Sequence, residues 1–99
     1  MSEQPTLTTY LPEIECEAEP GDADWEVVVG VKDEKGWEQF LSVSKGMVAR
    51  VDGKNYLPVG IIQVDHPHRR VLVELPHEAD NGVNRLWAPF SALRRGGQL

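Results

Sequence analysis

Residues Pro58 to Pro76, PVGIIQVDHPHRRVLVELP, hold the two most apolar arms of the chain on either side of a short polar link, and they leave the fold little choice. Two such arms around a turn predict a β-hairpin. With Asp65 set against Arg70, Val64 faces Val71, Ile62 faces Val73 and Gly60 faces Leu75. Because side chains alternate along a strand, this register gathers Ile62, Val64, Val71, Val73 and Leu75 on one face for burial. A slip of one residue would send Gln63 and Glu74 inward. Pro67 presets φ for the second position of a type I turn over His66-Pro67-His68-Arg69, with Asp65 and Arg70 beside it as an opposite-charge pair. A lone hairpin is marginal in water, so the remaining chain must cover its apolar face.

A second hairpin precedes it. Trp25, Val27, Val29 and Val31 fall on one face of a strand, and Glu34-Lys35-Gly36 suits a three-residue loop closed by a left-handed glycine. Pairing Asp33 with Trp37 then sets Val31 opposite Gln39, Val29 opposite Leu41 and Val27 opposite Val43, so the apolar face continues across both strands. Ser44 to Val51 admits two readings: a helical turn capped by Ser44, or a strand from Met47 into a tight Asp52-Gly53 turn, and the strand is preferred. Pro58 and Gly60 mark a bend or bulge that lets one strand serve two sheets. Residues 77–84 form a polar loop with an Asn81-Gly82 turn. Arg85 to Ala88 reads as a closing strand stopped by Pro89, Phe90 to Leu93 as a 3-10 turn seated on the core, and RRGGQL as a frayed end.

A chain of 99 residues fits one domain with one modest core. With valine the commonest large apolar type, and proline and glycine spread along the sequence, the expected class is all-β. Apolar runs are far too short for a spanning helix, which argues against a membrane. The start, MSEQPTLTTY, lacks the basic and apolar regions of a secretory leader, and the lone Cys16 suits a reducing compartment; cytoplasmic residence is the expectation. The net charge of −6 is uneven: residues 1–34 carry ten acids against Lys32 alone, leaving six acids and nine bases for the rest. The domain is therefore expected to begin at Trp25. Residues 1–24 are expected to be an acidic, largely flexible segment, and residues 96–99 a flexible tail. Within that segment residues 13–18 alternate, with Ile14, Cys16 and Ala18 on one side and glutamates on the other, as a potential edge strand.

Short strands, tight turns, one long polar loop and a strand-proline-turn ending together resemble an SH3-like small barrel, the superfamily shared by SH3, Tudor and KOW domains. Three stretches carry the resemblance. Lys45-Gly46-Met47-Val48-Ala49 is similar to the glycine-to-valine approach of such barrels. Val59-Gly60-Ile61-Ile62-Gln63-Val64-Asp65 looks like the arm before their distal hairpin, and Leu86-Trp87-Ala88-Pro89-Phe90-Ser91-Ala92-Leu93 like their closing strand and 3-10 turn. The resemblance covers about residues 36–95. It implies a small, partly open barrel of five to six antiparallel strands with a 3-10 turn near the C-terminus, and names no family within the superfamily.

Function is expected in the 77–84 loop, since polar loops on rigid β scaffolds commonly carry recognition. Glu78, Asp80, Asn81, Asn84 and Arg85 are the candidate binding groups, with Tyr56 and Trp37 as nearby aromatics. The competing reading is that Asp80 and Asn81 satisfy the loop's own backbone. Trp37, Tyr56 and Trp87 as an exposed platform compete with the same residues as core. Lys45, Arg50, Lys54, Arg69, Arg70, Arg85, Arg94 and Arg95 would be the phosphate contacts of a KOW-like domain, but they are dispersed. His66, His68 and Asp65 offer a metal set that His77 cannot join, because the strand between places it roughly 20 Å or more away. No nucleophile-base set, phosphate-cradling loop or paired carboxylate has supporting context. The expectation is a non-enzymatic protein-interaction domain without cofactor or bound metal, with a nucleic-acid-binding module as the alternative.

Overall fold

A computed structural model describes residues 12–95, and the flexibility expected of residues 1–11 and 96–99 lies outside the described residues. The described chain is all-β. Its strands are β1 (Pro12–Pro20), β2 (Glu26–Lys32), β3 (Glu38–Ser44), β4 (Ala49–Val51), β5 (Lys54–Pro58), β6 (Gly60–Asp65), β7 (Arg70–Glu74), β8 (Arg85–Pro89) and β9 (Leu93–Arg95). Single 3-10 turns lie at Lys45–Met47 and Phe90–Ala92, the second where the sequence places one. The larger antiparallel sheet runs β3-β2-β1-β5-β4 with β9 also on β1, and the smaller runs β6-β7-β8. The two sheets do not close into a barrel.

The β2–β3 hairpin has the register the alternation dictates: Val27 opposite Val43, Val29 opposite Leu41, Val31 opposite Gln39. Its loop is fixed by the side chain of Asp33, whose Oδ1 accepts the N–H groups of Lys35 (2.8 Å) and Trp37 (3.0 Å), and by Gly36 at φ 88°. Between β3 and β5 both readings of residues 44–51 are realised in sequence. Ser44 caps the 3-10 turn through Gly46 N–H, and β4 then enters an Asp52-Gly53 turn in which both residues have positive φ. That geometry is the type I′ turn that matches the strand twist.

Two expectations are corrected. Residues 12–20 are neither flexible nor an edge: β1 sits inside the larger sheet, pairing with β2 through Glu17–Pro20, with β5 through Glu13–Cys16 and with β9 through Pro12–Ile14. The domain thus reaches back to Pro12 rather than starting at Trp25. The reason is that Ile14 and Cys16 are core residues while the adjacent acids meet bases on the neighbouring strands, Glu13 with Arg94 (3.3 Å) and Glu15 with Lys54 (3.7 Å). For the same reason Arg94 and Arg95, read as part of a frayed end, are strand residues.

The second correction is the register of the opening hairpin. Asp65 pairs with Arg70, Val64 with Val71 and Gln63 with Leu72 as that register requires, but the next pairs are Ile61 with Val73 and Gly60 with Glu74, in place of Ile62 with Val73 and Gly60 with Leu75. A β-bulge at Ile62 takes up the extra residue. Val71, Val73 and Leu75 are buried as predicted, whereas Ile62 and Val64 are not: Ile61, Ile62 and Val64 are 43%, 40% and 43% exposed. The core lies instead between the sheets, built on Ile14, Val29, Val31, Leu41, Leu57 and Val73. Phe90 and Leu93 pack against it from the C-terminal turn.

Candidate functional site

The 77–84 loop is anchored rather than free. Asp80 N–H donates to the carbonyl of Phe40 (2.7 Å), Asn81 Nδ2 to Gln39 Oε1 (2.6 Å), and His77 Nε2 lies 2.7 Å from the Ser42 carbonyl, so the loop lies along the outer edge of β3. Within the loop Asn81 Oδ1 accepts Val83 N–H, Gly82 N–H donates to Ala79, and Ala79 is buried. These contacts satisfy the backbone and cover a sheet edge. Asn84 Nδ2 donates to Glu74 (3.3 Å), with its Oδ1 buried and unpartnered, and Arg85 faces the same carboxylate. Glu78 contributes its carbonyl to His77 Nδ1. Of the candidate aromatics, Tyr56 is half-buried on β5 with the Arg94 guanidinium 5.0 Å from its ring, while Trp37 stands 69% exposed at the β2–β3 tip. A groove of about 300 Å³ between that tip and β8 is lined by Asp33, Glu34, Gln39, Trp87 and, alone of the seven candidates, Arg85. The structure therefore does not bring the seven together.

Several of the basic residues are similarly engaged. Arg70 donates to Asp65 (2.9 Å) and to Glu34 (2.9 Å) and lies 4.2 Å over the Trp87 ring, tying the β2–β3 loop to the smaller sheet. Its hydrogen bond to Asp65, more than any other contact, holds the Asp65 carboxyl below the usual carboxylate range; the Asp65 carboxylate in turn raises Arg70. Arg85, Arg94 and Lys54 face Glu74, Glu13 and Glu15, and Arg69 lies over Phe90. Among the described residues no three His, Cys, Asp or Glu side chains converge as a metal set: His68 bonds Asp65, and His66 meets the edge of Phe90. Cys16 borders a cavity of about 340 Å³ between β1, β2 and the C-terminal turn. Burial first, and then Glu15, Glu17 and Glu13, push its thiol up to about 11, which leaves little thiolate for nucleophilic work.

What sequence reasoning missed is an edge. The β3 edge is covered by the 77–84 loop, β4 is only three residues long, and the Trp87 carbonyl of β8 accepts Glu34 N–H. β9 is likewise only three residues long, so among the described residues β6, on the outside of the smaller sheet, is the long edge that remains. On β7 the Leu75 N–H and the preceding Arg69 carbonyl bond to the β8 side, so alternation turns Arg70, Leu72 and Glu74 toward β6. Their partners Asp65, Gln63 and Gly60 turn inward to meet them, and Ile61 and Val64 turn their N–H and C=O groups outward. From Gly60 to Val64 this edge carries no charge, in a chain of which 26% is charged. The signal in the sequence was an uncharged apolar arm next to Pro58 and Gly60.

Compared with protein-family models, with curated proteins and with solved structures, the chain matches none.

Proposed function

We propose that this chain is a small non-enzymatic protein-interaction domain that binds an extended segment of its partner by strand addition to β6. The observation that carries the reading is the outward main chain of Ile61 and Val64 beside three exposed aliphatic side chains, on the one long sheet edge that no described residue covers. Main-chain hydrogen bonds supply affinity in strand addition, and alternate side chains supply selectivity. An uncharged edge favours an uncharged segment with β-branched residues at alternate positions. The bulge at Ile62 limits how many flat, in-register pairs an incoming strand can make, which suits a short ligand over open-ended association. The nucleic-acid alternative has less support, because Lys54, Arg70, Arg85 and Arg94 already face carboxylates.

The test is a titration of the full chain with an octapeptide of alternating valine and threonine, followed by amide chemical-shift mapping. The reading expects the largest shifts at residues 60–64 and loss of binding in Ile61→Lys/Val64→Lys, with little change in melting temperature because both side chains are exposed. Shifts centred on Asp80, Asn81 and Arg85, or none at all, would contradict it.

A further inference from the structure

The open stretch of β6 has a symmetry of its own. Pro12 closes one end, because its carbonyl accepts the N–H of Val59 at 3.1 Å, and the turn in which Arg69 N–H donates to the His66 carbonyl closes the other. Between them lies Gly60 to Asp65, the whole of β6, with its midpoint between Ile62 and Gln63. The two residues that turn their main chain outward, Ile61 and Val64, are centred on the same point.

The bulge makes the two centres coincide. In a regular strand outward groups recur at every second residue, so a two-fold axis lying between two residues would set an outward group against an inward one. With Ile62 inserted, the outward residues are three apart, and such an axis exchanges Ile61 with Val64. A regular strand laid on this edge has one residue between its two pairing positions where β6 has two. A second β6 also has two, so the irregularity that limits the fit of other strands matches itself.

The side chains agree. Ile61 pairs with Val73 and Val64 with Val71, so both share the face of the smaller sheet that carries the buried Val71 and Val73. Ile61 set against Val64 of a second copy continues that apolar row across the axis. Asp65, the only charged residue of β6, falls opposite Gly60, which has no side chain, and it is held by Arg70 of its own chain at 2.9 Å. Pairing about a two-fold uses each edge once and therefore stops at two copies.

We propose that the strand added to β6 is β6 of a second copy of this chain, antiparallel about a two-fold axis between Ile62 and Gln63, joining two three-stranded sheets into one. The proposal rests on the reading of β6 as a strand-adding edge and names the occupant. Six residues and a few half-exposed aliphatic side chains from each copy bury well under the roughly 1,200 Å² of a standard interface, so the dimer is weak and depends on concentration.

Cross-linking of the full chain tests it. When Ile61→Cys is mixed with Val64→Cys, the new thiols face each other as a hydrogen-bonded antiparallel pair, within reach of a disulfide. In either variant alone the like residues are offset by about 10 Å along the strands, which is out of reach. Mild oxidation should therefore give cross-linked dimer at least about tenfold faster in the mixture than in either variant alone. In sedimentation at up to about 1 mM the unmodified chain should associate while Ile61→Lys/Val64→Lys stays monomeric. Equal cross-linking in the mixture and the single variants, or an unmodified chain that stays monomeric throughout, would overturn the proposal. So would slow exchange of the Ile61 and Val64 amides at every concentration, since another part of the same chain would then hold the edge. The octapeptide separates the dimer from the reading beneath it. Peptide shifts at residues 60–64 in a chain that does not cross-link sink the dimer alone, and absence of both sinks the two together.

Discussion

Asp65 fixes the β6–β7 turn through Arg70 Nε at 2.9 Å and through both the ring and the main-chain N–H of His68. Its carboxyl is held below the ordinary value of 3.8, chiefly by the Arg70 hydrogen bond, so the unfolded chain takes up this proton at higher pH than the native one. The stabilisation is therefore complete above the ordinary carboxylate range and is lost as pH falls through the lowered native value. Asp65→Asn should be less stable than the parent at pH 7, with the gap closing in acid; urea melts at pH 7 and pH 3 measure it, and a gap independent of pH would contradict the assignment. Cys16 runs the other way. With its thiol raised from 9.0 to about 11 the fold holds a proton that the unfolded chain releases, so stability falls as pH rises beyond 9. At pH 8 only about one native thiol in a thousand is ionised, and iodoacetamide should label it at least about a hundredfold more slowly in buffer than in urea.

Among the elements, β1 shows why some of the fold was readable in sequence and some was not. The β2–β3 register could be read because both strands and their loop lie within residues 26–44, where alternation and Gly36 decide everything locally. The alternation in β1 was equally plain, but its setting was not. The bases that face its acids, Lys54 and Arg94, are 39 and 81 residues distant along the chain, and only the folded sheet brings them alongside. Ile14 is fully buried between strands, so Ile14→Ala should cost about 2–5 kcal/mol in a urea melt, whereas a mobile acidic tail predicts no cost at all. Glu13 and Arg94 are mostly shielded, and a double-mutant cycle through their alanine variants should return a coupling of about 1 kcal/mol. The bulge in β6 lay beyond local reading for a different reason. Alternation assumes one residue opposite one, and nothing in Ile61-Ile62-Gln63 says which residue will be left over.

At the scale of the whole molecule, the uneven charge of the sequence becomes an internal complement. Ion pairs join the acid-rich residues 12–34 to the basic remainder, among them Glu13 with Arg94, Glu15 with Lys54, and Glu34 with Arg70. The same folding turns the conspicuous 77–84 loop into a cover for β3 and leaves the plain apolar arm, β6, as an edge that no described residue covers. A polar loop attracts notice in a sequence, but whether a strand ends up at an edge is a property of the sheet order, which no single segment carries. The account stands on main-chain pairing along β6. N-methylation of alternate amides in the octapeptide tests that directly, because it deletes hydrogen bonds from one edge of the peptide and leaves its side chains in place. The account predicts that methylation on the edge facing β6 weakens binding at least about tenfold while methylation on the opposite edge does not. Equal affinity for the two methylated peptides would show that β6 offers only an apolar surface, and would contradict strand addition.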